Sequence, residues 1–296
     1  MATAALDPTA ILQALGVADG VTAIAPVGGG WDTALWRVER GGVAYALRVF
    51  RPEQAATCRR EVAAMGSVPP TVPVPIIHAA GAWRDRPALL LSWCPGQTLL
   101  AALRAAPWRA PALAYRFGQT QARLHAAASP DLGEAPGAWL AMAGLDDPPL
   151  QARLRAVQGP RAALLHLDYH PLNIMVADTA VSGVLDWANA HVGDPRADLA
   201  RTATILRLAP LPPGTPPLLA QALLRVVERH WRRGYRALAG PIGGMALFYA
   251  WAGAVMLADL APKLGRPGVW LEPRHLEPIR RWTARWRQRA GVPPLV

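Results

Sequence analysis

Lysine is almost absent from this chain: Lys263 is the only one among 296 residues. The formal charge of +11 is therefore carried by arginine. Those arginines are scattered rather than clustered with aromatics, and no groove-reading motif accompanies them. No nucleic-acid partner is expected, despite the basic balance. Cysteine is equally scarce. Cys58 and Cys94 sit in unrelated contexts, which excludes a disulfide framework and a thiolate metal cluster and fits a reducing compartment. Charged residues make up only 17% against 52% hydrophobic, a balance that excludes disorder. No repeat of solenoid period is found. The opening MATAALDPTAILQAL lacks a basic stretch followed by an apolar core, so it does not read as a secretory signal, and a cytoplasmic location is expected. One long uncharged run exists, over residues 237–258. Gly240-Pro241 and Gly243-Gly244 interrupt its first third. About 16 residues remain, short for a membrane span, so a buried core helix and no membrane association are expected.

Against these absences stands a clear order of elements. A short helix is expected over 8–16, then a glycine run, Gly28-Gly29-Gly30, followed by Trp31. A hairpin follows over 35–50 with its turn at Gly41-Gly42, then a helix over 53–65. Prolines 69, 70, 73 and 75 break the chain, and two strands are placed near 75–79 and 87–93. Trp93-Cys94-Pro95-Gly96 is the candidate hinge. Beyond it the pattern is mainly helical: a long helix over 111–127, a loop-rich stretch over 131–150, a β-type island over 163–187, a helix over 198–208, and three more helices after a proline-rich link. The division expected is 1–93 as a nucleotide-binding lobe, 94–98 as the hinge and 99–296 as the catalytic and acceptor-binding lobe.

Chemistry concentrates in His166-Leu167-Asp168-Tyr169-His170-Pro171-Leu172-Asn173 and in Val184-Leu185-Asp186-Trp187. A tight loop, a strand, a turn at Asp178-Thr179 and a returning strand would bring Asn173 and Asp186 together at one end of a hairpin. Asp168 lies on the loop just upstream. One carboxylate is then free to accept a hydroxyl proton, while an Asn/Asp pair offers the few hard oxygen ligands that Mg²⁺ takes from protein. Phosphoryl transfer needs mainly positioning and charge neutralisation, and this set supplies both.

On the strand 43–49, Tyr45, Leu47 and Val49 share one face while Ala44, Ala46 and Arg48 share the other, leaving room for a nucleotide beside one cation. Read alone, Arg48 is a solvent-facing hairpin arginine, and Glu61 is equally its partner or an exposed helix acid. The glycine run is a phosphate-loop candidate, a weak signal by itself.

The run HLDYHPLNIMV…GVLDWANAHVGDPRADLA resembles the aminoglycoside phosphotransferase and choline kinase branch of the protein-kinase-like superfamily, which typically shows HGDLHPGN, a later IDW and GDPxxDLA. The resemblance is dense over 160–205, looser over 24–66 and 88–100, and fades through the last ninety residues. It implies an α+β, two-lobed kinase-like fold: a small antiparallel sheet lobe with one main helix, and a larger helical lobe. It implies Asp168 as catalytic base, His166 as support for the loop backbone, and Asn173 and Asp186 as magnesium ligands. Gly29, Gly30, Ala46, Arg48, Glu61, Ser92 and Cys94 would then hold ATP or GTP. Tyr45-Ala46-Leu47-Arg48 is similar to the kinase V-A-I-K strand with arginine for lysine, which makes Glu61 the natural partner of Arg48. Asp194 and Asp198 match GDPxxDLA as loop-organising residues, and His125 and His170 are expected to be structural. Leu167 replaces the usual glycine, with only a modest effect expected on loop packing.

Only seven residues separate Asp186 from Asp194, leaving no room for a long activation segment, so the acceptor is expected to be a small hydroxyl compound. Residues 199–296 hold four acids, Glu228, Asp259, Glu272 and Glu277, against fifteen Lys and Arg. A neutral or weakly charged acceptor such as a sugar, macrolide or amino alcohol is therefore preferred to a polycationic aminoglycoside, although Asp146, Asp147 and Glu134 stay available. The competing class is a catalytically silent kinase fold that only binds nucleotide or a partner. The arginine-rich stripe of Leu276, Ile279, Trp282 and Trp286 is expected to pack on the lobe, and Trp251 and Trp270 to lie in the core.

Overall fold

The computed structural model describes residues 6–28, 33–127, 129–159, 161–211, 213–266 and 269–294. Gly29, Gly30 and Trp31 lie outside them, and with them the phosphate-loop expectation.

The chain opens with α1 (Pro8–Ala14), capped by Asp7, whose carboxylate accepts from the Thr9 amide at 2.9 Å. Strands β1 (Val21–Pro26), β2 (Ala34–Arg40) and β3 (Val43–Val49) follow. The β2–β3 turn uses Gly41 and Gly42 at φ 56° and 76°, the left-handed pair that a two-residue hairpin requires. Helix α2 (Ala55–Gly66) comes next, then β4 (Ile77–Trp83) and β5 (Arg86–Ser92). The five strands form one antiparallel sheet in the order β1-β2-β3-β5-β4. Leu47 and Val49 pack outward with Ile11 and Leu12 of α1, whereas Ala46 packs inward against the main core. The two faces of β3 thus separate as its alternation implies.

The second lobe contains β6 (Gln97–Thr98), α3 (Leu99–Ala105), α4 (Ala110–Ala126), α5 (Pro148–Val157), β7 (Ala163–Leu165), β8 (Ile174–Ala177), β9 (Ala180–Val184) and β10 (His191–Gly193). Four helices complete it: α6 (Pro195–Leu208), α7 (Pro217–Ala239), α8 (Ala246–Leu260) and α9 (Pro273–Arg289). Helices α4 and α7 lie backbone against backbone. A Cβ at Gly118 would come within 2.0 Å of the Trp231 carbonyl oxygen, and one at Gly234 within 1.9 Å of that of Tyr115. Stacked Phe117 and Tyr169, with Trp231 beside them, fill the core above this contact. The small sheet lobe and larger helical lobe are the two-lobed kinase-like fold expected.

The uncharged run 237–258 contributes α8, whose Phe248 to Met256 stretch is buried in the protein core. Among the described residues no helix is long and apolar enough to cross a membrane. The stripe on α9 packs as expected: Leu276 and Ile279 are buried, and Trp282 and Trp286 pack on Tyr249 of α8. Trp251 is a core residue, but Trp270 is half-buried and stacks edge-on against His275. Several elements were not anticipated, β1 and α5 among them. Strand β1 is a half-exposed edge strand of small residues ending in proline, with weak alternation. Helix α5 begins inside the stretch read as loop, because Pro148-Pro149 occupy its first turn, where a missing N–H is harmless.

Candidate active site

Strand β7 delivers the chain into the loop 166–173, whose backbone turns at Leu167. This residue has φ 59° and is fully buried. A left-handed leucine costs roughly 1–2 kcal/mol, a penalty glycine avoids, so replacing the glycine does more than adjust packing. Asp198, the fully buried acid of α6, fastens the turn: Oδ1 accepts from the Leu167 amide at 2.7 Å and Oδ2 from the His166 amide at 3.3 Å. The same carboxylate meets Gln121 Nε2 at 3.1 Å and His125 Nε2 at 2.9 Å. Those two side chains are held from α7, Gln121 by Trp231 Nε1 and His125 by Tyr235 Oη, both at 2.8 Å. Burial raises the Asp198 carboxyl, but the His125 bond and charge lead the effects that bring it below its ordinary value. Asp198 and His125 therefore sit where loop-organising and structural residues belong. Asp194 caps α6, accepting from the Arg196 amide at 3.0 Å.

His166 ties the loop to the hairpin. Its Nδ1 accepts from the Asp168 amide at 3.3 Å, which leaves the proton on Nε2 to donate to the Leu185 carbonyl at 2.9 Å. In the hairpin Ile174 faces Val184, and the Leu185 amide donates to the Asn173 carbonyl at 2.8 Å. Asn173 and Asp186 consequently stand at the same end of the β8–β9 hairpin, beside Asp168. Asn173 Nδ2 donates to the Asp168 carbonyl and to Asp168 Oδ2, each at 3.0 Å. His170 was expected to be purely structural, yet its ring touches the carboxylate. Its Nδ1 accepts from the Leu172 amide, so Nε2 faces Asp168 Oδ2 at 3.3 Å as a donor. Oδ1 of Asp168 has no hydrogen-bond partner among the described residues. Burial works to raise the Asp168 carboxyl, but His170 first, then Arg201 and His166, hold it well below the usual carboxylate range.

Arg48 reaches this end of the cleft from β3. Its Nη1 donates to Glu61 Oε1 of α2 at 2.5 Å, its Nη2 to Asp186 Oδ1 at 3.1 Å, and its Nε to Thr33 at 3.2 Å. The readings of Arg48 as solvent-facing and of Glu61 as an exposed acid are therefore overturned: Glu61 is 1% exposed. Burial pushes the Glu61 carboxyl up to about 7, with Arg48 opposing. Beside the segment expected as hinge, Ser92 exchanges backbone and side-chain bonds with Ile76, each at 2.8 Å, and Cys94 lies against Gly183, where a Cβ would come within 2.6 Å of its sulfur. Burial pushes the Cys94 thiol up to about 11, so it is no thiolate. The hinge is docked on the hairpin: Gln97 and Thr98 pair with Val176 and Met175, and Ser182 Oγ donates to the Pro95 carbonyl at 2.6 Å.

Asn173 Oδ1 and Asp186 Oδ2 have no hydrogen-bond partner among the described residues. Two hard oxygens are what Mg²⁺ takes when phosphate and water complete its shell, so the donor set fits that ion. Among the described residues no group of three or more His, Cys, Asp and Glu is arranged for a metal. Sequence reasoning passed over Arg201, three residues after Asp198 and hence on the same face of α6; its Nε donates to the Leu167 carbonyl at 3.1 Å.

The model of the phosphotransferase enzyme family matches residues 23–240, from the sheet lobe through most of the helical lobe. The chain belongs to this family. No curated protein matches it. Among solved structures, this phosphotransferase is similar to a protein of Ralstonia eutropha JMP134 described as a candidate aminoglycoside phosphotransferase, at 17% identity over 95% of this chain and 97% of that one, with a TM-score of 0.68. Aminoglycoside phosphotransferase APH(4)-Ia superposes with a TM-score of 0.68 at 15% identity, covering 96% and 97% of the two chains. Amicoumacin kinase hAmiN gives 0.63 at 12% identity, covering 98% and 96%. At these identities the likeness is one of fold.

Proposed function

We propose that this phosphotransferase moves the γ-phosphate of a nucleoside triphosphate, with Mg²⁺, onto a hydroxyl of a small molecule, with Asp168 as catalytic base. One observation carries the reading: Asp168, Asn173 and Asp186 stand at one end of the β8–β9 hairpin, and Arg48, paired with Glu61, bonds Asp186. Asp168 Oδ2 is occupied by Asn173 and His170, which leaves Oδ1 to orient the acceptor hydroxyl and take its proton. The carboxylate is ionised at neutral pH, and its depressed pKa keeps it so well into acid. Mg²⁺, when bound, would neutralise charge on the transferring phosphate; Asn173 and Asp186 would hold it. Arg48, braced by Glu61, would bind phosphate oxygens, and Ala46 and the Ser92–Cys94 backbone would line the base pocket. ATP is favoured over GTP because APH(4)-Ia is known with ADP or AMP-PNP and hygromycin B, and hAmiN with AMP-PNP, Ca²⁺ and Ami.

A neutral or weakly charged acceptor is favoured by the four acids of residues 199–296, which already have cationic partners. Glu228 bonds Arg207 and Arg232, Asp259 bonds Lys263, Glu272 bonds Arg274, and Glu277 lies within 4 Å of Arg280 and Arg281. Two of the three acids expected to stay available are also taken: Asp147 is buried against Arg287, and Glu134 pairs with Arg60 at 3.0 Å. Nucleoside diphosphate release is the assay, run with Mg·ATP or Mg·GTP across aminoglycosides, macrolides, amino alcohols, amino acids and sugars. Acceptor-dependent release should fall about 10²–10⁴-fold in Asp168→Asn with nucleotide binding retained. Nucleotide binding without turnover on any acceptor would instead support a silent binding module, and low-KM phosphorylation of kanamycin-like polycations would refute the acceptor class.

A further inference from the structure

Arg201 is an arginine in the wrong place for a stabilising role. It is 4% exposed, its Nη1 is buried without a hydrogen-bond partner, and no carboxylate pairs with it among the described residues. Burial of this cation costs more than Asp168, Asp259 and Asp198 return from beyond ion-pair distance, and such groups gather where function retains them. Among the described residues its one hydrogen bond, from Nε at 3.1 Å, goes to the carbonyl of Leu167, the residue before Asp168.

We propose that Arg201 is a positioning residue: with Asp198, one helical turn earlier, it clamps the left-handed Leu167 and so fixes where Asp168 points. The inference rests on the reading of Asp168 as base. Leu167 could leave its strained conformation by rotating the peptide on either side of it. Rotation before it would break the bond from its amide to Asp198. Rotation after it would break two bonds, the carbonyl's to Arg201 and the Asp168 amide's to His166 Nδ1. The peptide that carries Asp168 is thus held at both ends, by α6 and by the ring that also grips Leu185. Glycine would rest in this conformation without a side-chain penalty and need less restraint. Arg201 accordingly compensates for the leucine.

The clamp predicts a particular epistasis. Arg201→Met should lower kcat for ADP release from Mg·ATP, with water or a panel acceptor, by about 10–100-fold while KM for ATP stays within about twofold. Amide exchange at residues 166–168 should rise about tenfold or more. Adding Leu167→Gly to Arg201→Met should recover about threefold or more of the rate and part of the protection, whereas Leu167→Gly alone should gain nothing. A merely structural Arg201 predicts additive losses and faster exchange throughout the lobe, and that outcome would overturn the proposal. Arg201→Lys, which keeps charge but lacks the Nε donor, repeats the test should methionine unfold the lobe. Exchange needs no turnover, so the clamp is tested even without a productive acceptor. Asp168→Asn separates the two readings: if it is inactive while Arg201→Met is fully active with unchanged exchange, the clamp fails and the base stands. An active Asp168→Asn removes the base.

Discussion

Gly118 sits in α4 against the backbone of α7, yet its substitution by alanine should reach the catalytic loop. The new Cβ would sit 2.0 Å from the Trp231 carbonyl oxygen and 2.7 Å from the Tyr235 amide nitrogen, where ordinary contact begins near 3.4 Å. Both obstacles are backbone, so α7 must retreat by about 1.4 Å rather than turn a side chain. The bonds from Trp231 to Gln121 and from Tyr235 to His125, each 2.8 Å, would be stretched beyond hydrogen-bonding distance. Overpacking costs about 1–3 kcal/mol, and each buried group left unsatisfied about 1–3 kcal/mol more. A loss of about 4 kcal/mol is expected, lowering Tm by roughly 10 °C in a protein this size. Gln121 and His125 are also the supports of Asp198, so the amides of His166 and Leu167 should exchange faster and ADP release should slow. Thermal unfolding and amide exchange of Gly118→Ala provide the assay. A Tm within 2 °C or so of the parent, or loop amides unchanged after a large Tm drop, would refute the reasoning.

Other expectations follow from the same geometry. Asp198→Asn turns a carboxylate with four donors around it into an amide that must itself donate; a loss of about 3 kcal/mol or more is expected in urea unfolding. Because the folded pKa of Asp198 is depressed, the stability it confers is complete above its ordinary value and drains away as pH falls; parent and variant should converge in acid. Glu61 carries the opposite sign. Its folded pKa of about 7 exceeds the ordinary 4.5, so its contribution is present in acid and is lost as pH climbs through 7. The parent should therefore lose stability in urea unfolding as pH rises from 6 to 8, a pH dependence that Glu61→Gln should lack, and the variant should bind ATP more weakly as Arg48 loses its anionic brace. Asn173→Ala should raise the Mg²⁺ requirement of ADP release about tenfold or more, checked by metal titration at saturating ATP.

What could be read from the chain was local. The β8–β9 hairpin follows from apolar strands around Asp178-Thr179, and its register alone puts Asn173 and Asp186 at one end. The separation of Leu47 from Ala46 follows from alternation along β3. Three things were hidden. Leucine itself gives no sign of a left-handed backbone at 167, beyond the family's glycine at that place, because Asp198 and Arg201 hold that conformation from some thirty residues away. The pairing of Gly118 with α7 depends on a helix more than a hundred residues downstream. Helix α5 was masked by the two prolines that begin it. Distance in sequence, rather than weakness of the local signal, separates the first two from what was legible.

The segment between the lobes has a mechanical consequence. Gly96, at φ 90°, passes so close to β8 that a Cβ would lie 2.0 Å from the Val176 carbonyl oxygen, and Pro73 accepts a bond from the Val184 amide at 2.8 Å. The strand pair that ends in Asp186 is thus riveted along one side to residues 94–98 and at another point to the proline-rich approach. The span from Cys94 to Asp186 behaves as a fixed gauge, its length set by strand pairing. Any closing of the sheet lobe would then be read in how near β3 comes to that gauge. The bond from Arg48 to Asp186, 3.1 Å long, is the contact where such a movement would be measured.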